Sequence, residues 1–285
     1  MVALTEHAGR VRPPAVAGTF YPAASEVLSS EVRKMLHAAR PQKAARERLK
    51  ALIAPHAGYI YSGPVAASAY ALLAERRPLP TRIVLLGPAH FVGFRGLALP
   101  GVDTLETPLG RIPLDRNGVA AALSFPQVCE LPRAHTREHS LEVHLPFLQA
   151  VLPSFTIVPL LVGDAAPWEV AEVLAALWGG DETVIVVSSD LSHYHPYDVA
   201  RTLDSETARR IVARDYGDLE GEQACGAAPL RGLLYEATQR CLEVHLCDLR
   251  SSGDTAGDRS RVVGYGSFAL TEPEPSPTAR SGSHA

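Results

Sequence analysis

No apolar run in the sequence approaches the roughly 18 residues that a membrane span requires. The longest, such as RIVLLG at 82–87, have the length of core strands. Cysteine is scarce. The four, at 129, 225, 241 and 247, form no Cys-x-x-Cys pair and no disulfide-framework spacing, so a reduced, cytoplasmic compartment is expected. Charge of one sign is also missing. With 27 Lys+Arg against 31 Asp+Glu the net charge is −4 and the pI about 6.3, which leaves no electrostatic footprint for nucleic acid or an anionic membrane. The amino end, MVALTEHAGRVRPP, lacks an apolar signal core, so export is not expected. There is no Gly-x-Ser-x-Gly elbow and no Walker-type phosphate loop. The string GYGSFA at 264–269 fits the dinucleotide fingerprint formally, but too little chain follows it to supply the next helix and strand.

What is present is a chain of 285 residues, 46% apolar, long enough to bury a core without disulfides or metal. One domain over 12–271 is expected, with flexible tails at 1–11 and 272–285, the latter rich in Pro and Ser. Short apolar runs at 51–54, 83–86, 97–99, 155–162, 184–187, 244–249 and 262–263 read as strands. Helical spacing appears at 65–73, 168–178, 198–212 and 230–242. A local hairpin is expected over 104–114. Such alternation predicts an α/β fold: a single domain with a mainly parallel central sheet flanked by helices.

Histidine placement is the most informative feature. Seven of the eleven fall between residues 56 and 195, and three predicted strands end in polar turns carrying one: ALIAPH at His56, RIVLLGPAH at His90 and TVIVVSSDLSH at His193. Ligand sites in open α/β sheets form beyond the carboxyl ends of the strands, where these turns converge. Neutral imidazole is the commonest metal ligand. A stable site needs a further donor, and Asp190, Glu138, Glu142 and Cys225 are of the right type. Cys225 just precedes a predicted helix, a place that favours thiolate, whereas Cys129, Cys241 and Cys247 read as inert buried thiols. His139 and His144 are five apart and so do not share a helix face. Tyr21, Tyr59 and Phe91 read equally as pocket wall or as core.

Six motifs taken together are specific: RPPAVAGTFYP (12–22), APHAGY (54–59), LGPAH (86–90), EHSLEVHLP (138–146), VSSDLSH (187–193) and CGAAP (225–229). In this order they resemble the Memo family, named for a mediator of cell motility, whose microbial members are called AmmeMemoRadiSam system protein B. The resemblance covers about residues 12–270. It implies a fold related to class III extradiol dioxygenases, which use non-haem iron. It also implies a metal site made of His56, His90 and Cys225, holding Fe(II) or copper, with zinc as a further candidate. Asp190 and His193 would line the same pocket, with Glu138 and His139 close by, as the catalytic candidates. Radical-SAM and Ammecr-type proteins are the implied partners, beside a small molecule or peptide in the metal pocket. Ring-cleaving relatives close their iron site with a carboxylate. A thiolate at Cys225 is softer and oxidisable, so dioxygenase activity does not transfer with the pocket.

Three readings stay open at this stage. The chain is a metal-dependent oxidoreductase with His193 as general acid/base, or a binding module using the same crevice without turnover, or a metal-free remnant of the fold.

Overall fold

A computed structural model describes residues 9–39 and 48–273. The tails expected at 1–11 and 272–285 lie, apart from residues 9–11 and 272–273, outside the described residues. The apolar runs form β2 (Leu49–Ala54), β3 (Arg82–Pro88), β4 (Leu97–Leu99), β8 (Thr156–Val162), β9 (Thr183–Ser188), β11 (Glu243–Ser251) and β12 (Val262–Thr271). With β7 (Val128–Glu130) and β10 (His193–His195) they build a nine-stranded sheet. Its order is β10-β12-β2-β9-β3-β8-β4-β7, with β11 on β12. The short strands β1 (Val11–Arg12), β5 (Thr104–Thr107) and β6 (Gly110–Pro113) form a second sheet. In it β5 and β6 make the expected hairpin.

The sheet is mixed rather than mainly parallel. Its central strands β2, β9, β3 and β8 are parallel, but β12 runs antiparallel to β2, β10 and β11, and β4 antiparallel to β8. Parallel neighbours need a crossover helix, whereas β11 and β12 are joined by a short connection and pair directly. The strand expected at 262–263 in fact runs to Thr271. Gly264 and Gly266 hid it by breaking the apolar run. Gly264 is required there, since a Cβ would collide with the Asp204 carboxylate.

Strand periodicity feeds two cores. Leu52, Ala54, Ile83, Leu85, Val184 and Val186 face one, and Ala51, Ile53, Val84, Leu86, Ile185 and Val187 face the other, as alternate residues of buried parallel strands must. The first face is covered by α1 (Ser25–Ala38), α2 (Tyr59–Glu75) and α5 (Leu145–Val151). Between α2 and α5 lie the short helices α3 (Arg116–Leu123) and α4 (Pro132–His135). The second face is covered by α6 (Pro167–Leu177), α7 (Tyr197–Ala213) and α8 (Ala227–Gln239). A last short helix, α9 (Ser252–Thr255), follows β11. Because β2, β9 and β3 are parallel, their ends at Ala54, Ser188 and Pro88 lie on one edge. That edge carries the turns with His56, His90 and His193.

The amino-terminal segment is clipped over this edge. Glu142 accepts from Arg12 Nη1 at 2.7 Å, from the backbone of Ala15 and Val16, and from the Tyr21 hydroxyl at 2.6 Å. Glu142 is thereby consumed by packing and is not a donor at the histidine site.

Candidate metal centre

His56 follows β2 and is buried. Its backbone N–H donates to Asp190 Oδ1 at 2.7 Å, its Nδ1 lies 2.5 Å from Ser188 Oγ, and its Nε2 lies 3.3 Å from Cys225 Sγ. His90 follows β3. Its backbone N–H donates to Glu138 Oε2 at 2.6 Å and its Nδ1 lies 2.9 Å from Oε1. The same carboxylate accepts the backbone N–H groups of His139 and Ser140. This brings the His139 ring over His90, centroids 4.8 Å apart and nearly parallel, with His56 5.5 Å away. His56, His90 and His139 each offer a ligand atom, all within 4.8 Å of one another. Cys225 is outside that group and touches His56 alone of the three. The Asp190 backbone N–H donates to its sulfur at 3.3 Å, and Gly226 donates to Ser189 Oγ at 3.0 Å. A Cβ on Gly226 would stand 2.5 Å from the Ser188 carbonyl oxygen, so the cysteine turn can approach β9 this closely only with glycine.

Burial, then the nearby rings of His90 and His139, hold His56 well below the usual histidine range. Burial also lowers His139 and His193. Neutral rings are the form that binds metal. Burial, the largest single influence, opposes ionisation of Glu138, but the hydrogen bonds and charge of His90 together with the Ser140 N–H outweigh it and pull the carboxyl down to about 2. Asp190 is pushed up to about 7 by burial, against the hydrogen bond from His56. Cys225 departs from expectation. Burial and then the adjacent Asp190 push its thiol up rather than down. Desolvation outweighs the helix terminus, so the thiolate needs a cation beside it.

A cavity of about 1100 Å³ opens over this cluster. His56, His90, His139, Asp190, His193 and Cys225 all line it, and Phe20, Tyr61, Tyr194 and Tyr265 supply aromatic wall. Glu138 stands behind His90 rather than in the cavity. Tyr21 and Tyr59 are core, with rings 5.6 Å apart. Phe91 is exposed, 6.1 Å from the His139 ring. Cys129 and Cys241 are exposed rather than buried. The sequence set His144 apart from His139 but gave it no role. It turns away from His139 into the core, with Nε2 2.8 Å from Ser188 Oγ and Nδ1 2.9 Å from the Tyr70 hydroxyl. The signal was its five-residue offset from His139, which sends the two rings in different directions.

Residues 12–269 match the sequence profile of the family described as Memo-like protein. The chain belongs to the Memo family. It is 36% identical over 280 residues to a MEMO1 family protein of Metallosphaera sedula, covering 89% of this chain and 97% of that one. It is 37% identical over 271 residues to a MEMO1 family protein of Archaeoglobus fulgidus, covering 90% and 97%. Among solved structures, the crystal structure of an uncharacterized protein from Escherichia coli K12 aligns with a TM-score of 0.50 at 15% identity, over 77% of this chain and 99% of that one. At that identity the likeness speaks for a shared fold alone. In this Memo-family chain no described helix is long and apolar enough to cross a membrane.

Proposed function

We propose that this Memo-family chain is a metal-dependent redox protein in which His56, His90 and Cys225 hold iron(II) or copper beneath a cavity for a small substrate. The observation that carries the reading is the second hydrogen-bonding partner of each imidazole. Ser188 occupies His56 Nδ1 and Glu138 occupies His90 Nδ1, which leaves both Nε2 atoms for the centre. Metal-bound histidines characteristically anchor their other nitrogen in this way. Cys225, 3.3 Å from His56 Nε2, supplies the soft anionic donor that favours copper, zinc or thiolate-bound iron. The relation to class III extradiol dioxygenases is part of this proposal.

A bound metal of this kind would supply a redox-active, Lewis-acidic centre to a substrate donor atom. The protein does the rest. His193, neutral and on the cavity wall, takes a proton from a substrate hydroxyl, as a general base typically does for a rate gain of about 10²–10⁴-fold. Asp190 holds the His56 turn through its backbone N–H. His139, stacked on His90, faces the substrate side, and Glu138 fixes both rings. The aromatic wall of Phe20, Tyr61 and Tyr265 excludes water from a planar substrate.

Anaerobic purification followed by elemental analysis tests this reading. One equivalent of iron or copper is expected in the native chain and none in His90→Ala. Equal metal content in both would overturn it. The competing reading, a binding module without turnover, rests on the size of the cavity, and oxygen uptake with a catechol as probe would rule it out.

A further inference from the structure

Ser188 ends β9 with its side chain fully buried, and its hydroxyl oxygen meets three partners. These are the Ser140 carbonyl at 2.6 Å, His144 Nε2 at 2.8 Å and His56 Nδ1 at 2.5 Å. A hydroxyl has one proton and two lone pairs. The carbonyl can only accept, and two oxygens at 2.6 Å without a proton between them repel. The Ser188 proton therefore points at Ser140, and both imidazoles must donate to Oγ. His144 then carries its proton on Nε2, and its Nδ1 is left to accept from the Tyr70 hydroxyl, which lies 2.9 Å away and points nowhere else among the described residues. Every proton in the row is accounted for, in one direction.

We propose that Ser188, with His144 and Tyr70 behind it, is a positioning device that locks His56 with its proton on Nδ1. His56 Nε2 then permanently presents a lone pair to the cavity. His144 and Tyr70 close the alternative in which the Ser188 proton swings away from Ser140. The row is an anchor and not a proton path. Its far end, Tyr70, is completely buried in α2, and its near end stops at a backbone carbonyl. The hydrogen-bond argument holds for His56 whatever occupies the cavity, while its purpose rests on the metal reading above.

The test reads the tautomers directly, in metal-free, ¹⁵N-labelled full chain, by long-range ¹H–¹⁵N correlation of the imidazoles at pH 7.5. In the wild type, protonated Nδ1 is expected on His56 and protonated Nε2 on His144. Ser188→Ala should add the Nε2-protonated form of His56 and weaken Co(II) binding by about 10–100-fold, the usual cost of losing such a partner. Tyr70→Phe keeps the ring and should populate Nδ1-protonated His144; if Ser188→Ala does not fold, the wild-type His56 tautomer decides the matter. Ser188→Thr, which retains the hydroxyl, should restore the His56 tautomer. Protonated Nε2 on wild-type His56, or an unchanged His56 tautomer in Ser188→Ala, would overturn the proposal. The expected tautomers in a chain that binds no Co(II) would uphold the row and refute the metal reading instead.

Discussion

Cys225 Sγ stands 3.3 Å from His56 Nε2, although 169 positions separate the two residues in the chain. The ligand atoms of His56, His90 and His139 lie within 4.8 Å of one another, a group that does not include the sulfur, so the proposed set of two imidazoles with the sulfur competes with a set of three imidazoles.

Two variants separate those sets. Cys225→Ser keeps the size of the side chain and removes the soft donor. On the His56/His90/Cys225 assignment it should abolish the sulfur-to-metal absorption of the Cu(II)-loaded protein and weaken Co(II) binding at least tenfold, while His139→Ala changes affinity little. The reverse pattern, an unaltered spectrum in Cys225→Ser and lost binding in His139→Ala, would move the third donor to His139. Optical titration of each variant reads the answer.

Glu138 is the second point of leverage. It is 2% exposed and accepts from His90 Nδ1 and from the backbone of His90, His139 and Ser140. Glu138→Gln preserves shape but turns an amide donor toward a row of donors. Leaving buried N–H groups unmatched costs about 1–3 kcal/mol each. A drop of that order in urea-unfolding stability, and about 10–100-fold weaker Co(II) binding, are expected. Wild-type values for both would mean that Glu138 positions neither ring.

Much of this was legible in the sequence because strand ends are. A buried parallel strand is a short apolar run, and the first polar residues after it must lie at the sheet edge, so ALIAPH and RIVLLGPAH located His56 and His90 without any coordinates. His193 was legible by the same rule, although its turn starts the antiparallel strand β10. The sulfur was not. Residue type and a place before a helix made Cys225 one candidate among several, but its turn docks on β9 through Gly226, a tertiary contact with no local periodicity, and it was the resemblance to the Memo family that singled it out. Helix α1 and the full length of β12 escaped as well. The first has a mostly polar sequence with just Leu28 and Val32 buried, and the second is interrupted by glycines. Glu142 looked like a ligand by residue type, but a buried carboxylate goes to whichever cation and N–H groups reach it, and Arg12 arrives from 130 positions away.

That Arg12–Glu142 pair supports a stability prediction. Both side chains are nearly or wholly buried and lie 2.7 Å apart, and Arg12 also donates to the carbonyls of His135 and Glu138. Removing one partner of a buried pair leaves the other charge uncompensated, typically at a cost of about 3–5 kcal/mol. Arg12→Met should lose about that much in urea unfolding. Arg12→Met/Glu142→Leu should recover part of it, because no charge is then stranded. A single variant within about 1 kcal/mol of wild type would show that the clip contributes little.

Acid should destabilise the metal-free protein well above the carboxylate range. Burial lowers His135 to about 4 and His144 to about 3, each from an unfolded value near 6.5. Between those values the unfolded chain binds protons that the folded chain refuses, so stability rises with pH across the window. The contribution is intact above about pH 6.5. It is lost as pH falls toward 4 for His135 and toward 3 for His144. The slope reaches about 1.4 kcal/mol per pH unit for each ring; Asp190, raised to about 7, works in the opposite sense and offsets about one ring, so urea unfolding at pH 5.5 should fall about 1–2 kcal/mol short of that at pH 7.5. His135→Gln keeps a donor for the Ala98 carbonyl, which lies 2.9 Å from His135 Nε2 in the native chain, and removes one titrating ring. Its stability should therefore decline less steeply over the same interval. A variant as steep as wild type would place the acid sensitivity elsewhere than in this buried histidine.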